Sequence, residues 1–566
     1  MNAAPGDRPF ITSWIDEDER EVVTFAEFRA QSRQQAGILR DHGVAAGDRV
    51  VILMPQGIPA MTAFVGAMML GAIPAFLAYP NFKVEPAKYR SGLAGVTANL
   101  RAKAVVIDEA FPDDMLGHVM LGEATKLIRA GAGAEAGEKK FADQFAESEI
   151  HSGDVAFIQH SAGTTGLQKG VALTHAAVLR QLEHLSRALK IDGAADLIYS
   201  WLPLYHDMGL IACFMLPMVC HVPVVMQSPL DWVMHPDTML QIISEYRCTL
   251  AWMPNFAFQF VPRRTPQSRW KQRDLSSLRA LINCSEPVRT SSMLEFQKAF
   301  EPAGFKGAAL QSSYAMAENV FAVTQSGLDG GQGPACLHAD GQQFRSAHRV
   351  IPVAEGTPGA VRFTSSGRVL PQHQIRIVSD AGAALGEGNV GEILVRSDCL
   401  FTGYYNRADL TAQALVDGWY HTGDLGFLLE GELYVVGRKK ELLIIGGENI
   451  YPQDIEELAA THPAVRDGRV IAIGVFNPDL GTEDIVVVAE LESPDLLANT
   501  VELEREIRSL IVSGMGVAVR TIFLKPPQWI VKSTAGKAAR SATREKLLRE
   551  HPELNVDADV EPDVAH

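Results

Sequence analysis

Several short segments concentrate residue types that bind phosphate, accept hydrogen bonds or carry charge, and the first is HSAGTTGLQKGV (160–171). Glycine backbone N–H groups and hydroxyl groups can cradle phosphate oxygens, and a lysine adds a point charge. The segment follows an apolar stretch and precedes a helix expected from about Thr174, which predicts a phosphate-binding loop, with a plain flexible connection as the alternative. Gln168 before the lysine departs from the Walker pattern. The candidate ligands are Ser161, Gly163, Thr164, Thr165, Gly166 and Lys169.

Two further segments combine aromatic, imidazole and carboxylate side chains. In SWLPLYHDMGL (200–210), His206 stands between a predicted strand and an apolar helix. It either faces a buried carboxylate substrate or is a hydrogen-bonded core histidine. In QSSYAMAENV (311–320), Tyr314 suits stacking on a base, and Glu318 suits a metal ion that bridges phosphates. An aromatic residue and an acid at this spacing are also common on helices.

Three segments near the C-terminus supply the remaining charged candidates. Asp424 lies between glycines in DGWYHTGDLGFL (417–428), where a tight turn would let it accept ribose hydroxyls or make only an Asx turn. Arg438 and Lys440 belong to a basic cluster where the composition changes, which suits either a solvated face or a hinge. Lys537, in VKSTAGKAAR (531–540), either neutralises developing negative charge or belongs to an exposed basic tail.

The elements that position these residues alternate between helix and strand in the N-terminal part. Thr24 and Glu27 form a capping-box pattern before a helix that should stop at Gly43. The uncharged run 57–82 and the nearly uncharged run 208–230 are each interpreted as a buried helix followed by a buried strand rather than as membrane spans. The alternation predicts an α/β fold with doubly wound sheets. Strands are expected at 49–55, 73–78, 103–109 and 197–203.

From about residue 355 the pattern changes to short β-rich pieces with glycine turns, including a predicted hairpin at Glu430-Gly431. We therefore predict a large N-terminal domain (1–437) with a small β-barrel-like subdomain (about 355–437), and a hinge at 438–440. A small, mobile C-terminal α/β domain (441–550) and a disordered acidic tail (551–566) follow. The C-terminal strands are expected at 468–476, 484–491 and 519–525.

Composition narrows the classes of function. The net charge of −16 over 566 residues disfavours nucleic acid and anionic lipid as partners. The six cysteines show no zinc-type spacing, and the N-terminus has no apolar signal core. These features predict a cytoplasmic protein with reduced thiols.

The order of the motifs is more specific than any one of them. The Gly/Thr/Lys loop followed by HDMG, CSEP, YAMAE, TGD, GRKKE and a late GK loop resembles the acyl-adenylate-forming superfamily over roughly residues 10–545. The resemblance implies that the 161–169 loop holds the β and γ phosphates of ATP and that Glu318 and Thr165 bind Mg²⁺. It also implies that Ser285 and Tyr314 lie at adenine, Asp424 and Arg438 at ribose, and Lys440 at the hinge. His206 would gate the acyl site, and Lys537 would bridge the carboxylate and the α-phosphate.

Within the superfamily, WLPLYHDMGLI, SEPVR, PNFAF and NIYPQDIEE are most similar to the fatty acyl-AMP ligase branch. The long segment between Glu318 and Gly367 has room for the insertion of that branch, which is thought to hold the C-terminal domain away from the pose that uses coenzyme A. Ala162 replaces a usual serine, and GGEN (446–449) is more similar to CoA ligases. The acyl pocket is assigned to Trp252, Met253 and Phe256, of which the first two would shorten or reshape a tunnel.

The resemblance predicts an enzyme that uses ATP and Mg²⁺ to convert a fatty or related carboxylic acid to acyl-AMP with release of pyrophosphate. It would then pass the acyl group to the phosphopantetheine of an acyl-carrier protein in trans, in a polyketide or lipopeptide type of pathway. An acyl-CoA ligase for a medium-chain or aryl acid is the alternative. A non-catalytic nucleotide-binding or scaffold protein is disfavoured, because the four charged candidates Lys537, Glu318, Asp424 and Arg438 are intact.

Overall fold

The computed structural model describes residues 6–80, 86–130, 149–160, 169–327, 333–445, 448–477, 482–532 and 538–554. Two sheets with helices on their faces form the N-terminal part, as the alternation of helix and strand predicted. The larger sheet is parallel except for an outer antiparallel pair, and its strands in spatial order are Leu310–Ser312, Ala280–Asn283, Leu250–Met253, Ile198–Ser200, Val224–Gln227, Pro9–Trp14 and Arg20–Thr24. The smaller sheet is wholly parallel, in the order Ile73–Phe76, Arg49–Leu53, Ala104–Ile107 and Lys126–Arg129.

The first helix of this part begins and ends close to its local sequence signals. The capping box is confirmed, since Thr24 N–H donates to Glu27 Oε2 at 2.8 Å and Glu27 N–H donates to Thr24 Oγ1 at 3.2 Å. That helix ends at Asp41, two residues before Gly43 adopts a φ of +80°. The main helices are Phe25–Asp41, Ile58–Met69, Pro86–Leu100, His175–Ala188, Met208–Met215, Asp237–Tyr246, Asn255–Arg264 and Thr290–Phe300. Shorter helical pieces are Asp113–Leu116, Leu216–Cys220, Pro229–Met234 and Gln267–Trp270.

The two apolar runs are buried helices followed by buried strands, as predicted. Ile58–Met69 leads to Ile73–Phe76, and Met208–Met215 leads through a short helix to Val224–Gln227. Their apolar character reflects burial on all sides in an α/β interior. Among the described residues, no helix is both long enough and apolar enough to span a bilayer.

The helix expected from about Thr174 is confirmed as His175–Ala188, but it does not directly follow the phosphate loop. A strand, Gly170–Thr174, intervenes and pairs antiparallel with Val155–His160, and Gly403–Tyr404 pairs with it on the other side. The loop therefore joins two strands of a hairpin instead of opening a helix. The following helix, His175–Ala188, is capped by Thr174 Oγ1 at the far end of that strand from the loop.

An antiparallel sheet follows, whose strands in spatial order are Thr324–Gln325, Arg368–Val369, Glu432–Arg438, Trp419–Leu429, Gly391–Ser397 and His373–Val378, with Leu415–Val416 beside Trp419–Leu429. The hairpin at Glu430-Gly431 is confirmed, with φ of +52° and +77°. The prediction that Asp424 lies in a tight turn is wrong. Asp424 lies inside strand Trp419–Leu429, opposite Arg438. The positive φ of Gly423, +70°, coincides with a register shift in the pairing of this strand with Gly391–Ser397, so the glycine allows a bulge there.

The C-terminal part is a three-stranded sheet with helices on both faces. Its strands are Val465–Asn477, Thr482–Leu491 and Val519–Lys525, with a small pair Leu443–Ile445 and Glu448–Ile450 beside it. The helices Pro452–Ala460 and Thr500–Met515 pack on one core, and Arg540–Glu550 packs on the other. Between the two parts, strands Cys336–Asp340 and Ala360–Thr364 pair antiparallel and flank helix Gly341–Ala347.

Candidate active site

Glu318 lies beside the end of the phosphate-loop hairpin. The helical turn Ala317–Asn319 presents its carboxylate, and the Tyr404 hydroxyl donates to Glu318 Oε1 at 2.7 Å. Lys169 Nζ lies 4.6 Å from the centroid of the Tyr404 ring. Glu318 Oε2 accepts no hydrogen bond from any described residue. Tyr404 therefore connects the predicted metal ligand to the loop lysine and leaves one carboxylate oxygen available to a hard cation.

The two tyrosines beside Glu318 remain neutral donors at ordinary pH. Burial, reinforced by the nearby Glu318 charge, raises the pKa of Tyr404 and raises that of Tyr420 well above its usual range. Their hydroxyl oxygens lie 3.4 Å apart. A neutral phenol next to a carboxylate orients that carboxylate without adding charge.

The carboxylate of Asp424 is the second acidic group of the site, and two other side chains contact it. The Tyr314 hydroxyl donates to Asp424 Oδ2 at 2.6 Å, and Arg438 Nε lies 3.2 Å from Asp424 Oδ1. Burial raises the pKa of Asp424, while Arg438 and Tyr314 offset part of that rise. The Asp424 charge in turn raises the pKa of Arg438. From the sequence, Asp424 and Arg438 were assigned to ribose and Tyr314 to adenine, and the structure brings the three side chains into contact. An ionised Asp424 retains acceptor positions for further hydroxyl donors.

A buried polar network behind Glu318 was not found from the sequence. Asn319 is fully buried, and its Nδ2 lies 3.2 Å from Gln181 Oε1, 2.9 Å from Ala322 O and 3.0 Å from His373 Nε2. The Ser397 hydroxyl donates to Asn319 Oδ1 at 2.5 Å. Three of these partners, Gln181, His373 and Ser397, come from separate parts of the chain, so they fix the turn that carries the Glu318 carboxylate.

The protonation of His373 follows from its two neighbours. Its Nδ1 lies 2.8 Å from the carbonyl oxygen of Pro371, so Nδ1 carries the proton and Nε2 accepts from Asn319. Burial lowers the pKa of His373. The neutral tautomer is therefore the one that is compatible with the Asn319 contact.

The segment with His206 is tied to the same hairpin. His206 Nδ1 lies 2.6 Å from Asp207 Oδ1, and Asp207 also accepts from Met208 N–H at 2.8 Å at the start of the helix. Gln159 Nε2, one residue before the end of strand Val155–His160, donates to Tyr205 O at 2.9 Å. The helix that begins here reaches Ser285, because Met208 Sδ lies 3.9 Å from the Ser285 hydroxyl.

The residues assigned to the acyl pocket differ in exposure. Trp252 and Met253 lie fully buried on the parallel strand Leu250–Met253, whereas Phe256 is half-buried in the following helix. Phe256 N–H donates to Glu286 Oε2 at 2.9 Å, which joins the PNFAF segment to the SEP segment. Phe256 belongs to an aromatic cluster with Trp201, Trp232 and Phe260, whose ring centroids lie 3.6 to 6.3 Å apart.

The helix that follows the C-terminal lysine loop is held by Arg540, whose structural role sequence reasoning missed. Arg540 forms ion pairs with Glu441 and, at 2.6 Å, with Glu456, and its Nε donates to Ala472 O at 3.2 Å. Glu441 directly follows the predicted hinge lysine, Lys440, which is exposed. The ion pairs therefore connect the segment after the lysine loop to the hinge. Lys537 itself, and Ser161, Ala162, Gly163, Thr164, Thr165 and Gly166, lie outside the described residues.

The sequence of this chain is similar to those of AMP-binding enzymes and adenylate-forming ligases. The family described as "AMP-binding enzyme" matches residues 1–405. A 4-hydroxyphenylalkanoate adenylyltransferase of Mycobacterium marinum is 30% identical over 93% of this chain and 86% of its own. The long-chain-fatty-acid–AMP ligase FadD32 of the same organism is 30% identical over 93% and 89%.

Solved structures of fatty acyl-adenylate ligases superpose over nearly the whole chain. One, from a study of the E. coli and L. pneumophila enzymes, is 26% identical with a TM-score of 0.86 and covers 96% of both chains. The L. pneumophila ligase in complex with acyl adenylate and pyrophosphate is 28% identical over 96% of this chain and 94% of its own, with a TM-score of 0.71.

Proposed function

Because this chain belongs to the AMP-binding enzymes, which use ATP, we propose that it activates a carboxylic acid as its acyl-adenylate and transfers the acyl group to an acyl-carrier protein. The observation that carries the proposal is that one short segment, which holds Tyr314 and Glu318, meets both acidic groups of the site, the carboxylates of Asp424 and Glu318. Tyr314 and Glu318, four residues apart, reach Asp424 and Tyr404 respectively. A site that separates a hydroxyl-accepting carboxylate from a metal-binding carboxylate by one short segment fits a ribose and a polyphosphate on the same nucleotide.

The chemical difficulty is that both reactants are anions. The acid's carboxylate oxygen attacks the α-phosphorus of ATP, the α–β bridging bond breaks, and pyrophosphate leaves. In this proposal Glu318, whose second carboxylate oxygen accepts no hydrogen bond from the described residues, would hold Mg²⁺, which would supply charge neutralisation on the phosphates. Lys169, beside Tyr404, adds a cation at the phosphate loop, where Thr165 is the proposed second magnesium ligand.

Lys537 is proposed to bridge the attacking carboxylate and the α-phosphate. Arg540, three residues further along the chain, holds the following helix to Glu441 and Glu456. A rotation at the hinge around Lys440 would then move the lysine loop and the segment of Glu441 together. This coupling lets one domain movement both withdraw Lys537 and open the route for the acceptor.

For the acid, we propose a chain shorter than that of a typical long fatty acid, or one with an aromatic ring. Trp252 and Met253 are buried on the strand that precedes the PNFAF helix, and Phe256 belongs to a cluster of four aromatic rings. Aromatic walls favour ring substituents through offset or edge contacts. The relative named for 4-hydroxyphenylalkanoates supports an aryl acid, and FadD32 supports an alkyl acid. His206, next to Asp207, is proposed to gate this site.

Contacts made by residues 336–364 support an acyl-carrier protein as the acceptor of the acyl group. The Phe344 ring stacks on Tyr451 with centroids 5.1 Å apart, at the start of the C-terminal helix Pro452–Ala460. This segment thus packs against the C-terminal domain, as expected for an insertion that limits the domain's rotation. Coenzyme A as acceptor remains the second candidate, because Glu448 and Asn449 belong to the CoA-ligase-like GGEN segment.

The proposed function is tested by ATP–pyrophosphate exchange with a panel of acids, followed by acyl transfer. Exchange that depends on a medium-chain or aryl acid is expected, and a lack of exchange with every carboxylic acid would contradict the activation step. The loaded enzyme is then given either coenzyme A or a holo acyl-carrier protein. Thioester formation on the carrier protein is expected, whereas formation on coenzyme A alone would assign the second candidate.

A further inference from the structure

A strongly basic surface segment lies outside the candidate active site, at residues 263–273. Its sequence, RRTPQSRWKQR, contains five cations and no carboxylate, although the whole chain has a net charge of −16. We call it the basic segment. Its cations are Arg263, Arg264, Arg269, Lys271 and Arg273.

Three of these cations have no acidic partner among the described residues. Arg263 pairs with Glu295 at 2.7 Å and with Asp467 at 2.9 Å, and Arg269 lies 3.9 Å from Asp237. The ion pairs of the described residues do not involve Arg264, Lys271 or Arg273. Arg264 and Lys271 are exposed and Arg273 is half-buried, so their charges face solvent without compensation.

The basic segment is a fixed surface rather than a loose loop. Trp270 is buried, and its ring packs edge-on against Phe300 with centroids 5.3 Å apart. Thr265 is also buried, and Lys271 N–H donates to Gln267 O at 2.9 Å. The three uncompensated cations therefore keep a defined spacing, which a partner surface can match.

The basic segment lies near the residues that are proposed to take part in acyl transfer. The helix Asn255–Arg264 starts at the proposed acyl site, where Phe256 lies, and ends at the basic segment. At that end Arg263 contacts Asp467 on strand Val465–Asn477 of the C-terminal part. The basic segment thus borders the junction of the two parts of the chain, next to the boundary where the proposed rotation would admit an acceptor.

We propose that the basic segment docks an acidic face of the acyl-carrier protein that receives the acyl group. The proposal rests on the proposed function and adds the surface that recognises the partner. Exposed charges at the rim of an interface steer association and set its salt dependence more than they add to affinity once bound. On an otherwise acidic enzyme, an acidic carrier would be repelled by most of the surface and attracted here.

The test is a charge-reversal variant, Arg264→Glu, Lys271→Glu and Arg273→Glu, in the full chain. The probe is a purified acidic holo acyl-carrier protein, with the acid that gives the fastest pyrophosphate exchange. We expect the KM for the carrier protein to rise at least tenfold, with exchange unchanged. Rising salt should weaken wild-type transfer but have little effect on the variant, because Coulombic steering is screened.

The matched control reverses three exposed cations elsewhere, as Lys126→Glu, Lys190→Glu and Arg549→Glu, so that the net charge of the chain changes equally. A wild-type KM for the carrier in the charge-reversal variant would overturn the docking proposal, and so would an equal rise in the control, which would reflect total charge alone. Loss of pyrophosphate exchange in the charge-reversal variant would also overturn it, since the segment would then support the fold. Absence of exchange in the wild-type chain would instead refute the proposed function.

Discussion

The hydrogen bond from Tyr314 to Asp424 gives the sharpest quantitative prediction about the nucleotide site. The hydroxyl lies 2.6 Å from Asp424 Oδ2, and Arg438 Nε is the other donor, at 3.2 Å. A hydrogen bond to a charged group contributes about 1.5–3 kcal/mol, and each 1.4 kcal/mol corresponds to tenfold in affinity. Tyr314→Phe should therefore lower kcat/KM for ATP by about 10- to 100-fold, measured as the ATP dependence of pyrophosphate exchange.

The pH dependence provides a second readout for the same variant. Tyr314 lowers the pKa of Asp424 against the larger effect of burial, which raises it. Removal of the hydroxyl should raise the pKa of Asp424 further, so the acidic limb of kcat/KM for ATP should move to higher pH. A purely structural effect on the fold would lower the activity without moving that limb.

Tyr79 offers a matched control, because its hydroxyl also donates to a carboxylate, Asp108 Oδ1 at 3.0 Å, beyond the ends of two strands of the smaller parallel sheet. Tyr79→Phe removes the same atom and the same type of hydrogen bond, and its ATP dependence should stay within about twofold of wild type. Equal losses in the two variants, or an unchanged ATP dependence in Tyr314→Phe, would refute the assignment of Asp424 to the nucleotide.

Three further predictions concern the metal ligand, the lysine loop and the C-terminal helix. Asn319→Ala should increase the Mg²⁺ concentration needed for half-maximal exchange, because the turn that carries Glu318 loses its buried anchor; an unchanged Mg²⁺ titration would contradict this. Lys537→Ala should fold normally by circular dichroism yet lose about 100-fold or more in adenylation, and a wild-type rate would remove Lys537 from the mechanism. Burial raises the pKa of Asp454 to about 6, above its usual 3.8, so its contribution to stability is present below about pH 4 and lost as the pH rises to about 6. At pH 7 the free energy of unfolding of Asp454→Asn, measured by urea denaturation, should therefore exceed that of wild type by about 1–3 kcal/mol. The difference should vanish near pH 4.

Local signals in the sequence predicted much of the fold. The capping box at Thr24 and Glu27 and the turn at Glu430-Gly431 involve residues within three positions of each other, so their partners are visible in the sequence. The strand Gly170–Thr174 was missed because five residues are too few to show a period, and its pairing with Val155–His160 depends on the hairpin. The extended conformation of Asp424 was missed because the flanking glycines suggested a turn.

The candidate site was likewise predicted from the sequence only in part. Residues such as Glu318 and Asp424 were predicted because their chemistry appears in recognisable short motifs. The network around Asn319 was not, because its partners Gln181, His373 and Ser397 lie 138, 54 and 78 residues away along the chain. The role of Arg540 depends likewise on Glu441, 99 residues away. Side chains that position a site through distant contacts are found only when the chain is folded.

The central claim, that a carboxylate oxygen of the acid attacks the α-phosphorus of ATP, is tested most directly by isotope transfer. The enzyme is given its best acid with both carboxylate oxygens labelled with ¹⁸O, together with MgATP and a holo acyl-carrier protein, and the nucleotide product is analysed by mass spectrometry. We expect AMP that carries one ¹⁸O atom, because the bridging oxygen stays with phosphorus when the thioester forms. Unlabelled AMP, or ADP with the label in inorganic phosphate, would contradict the claim.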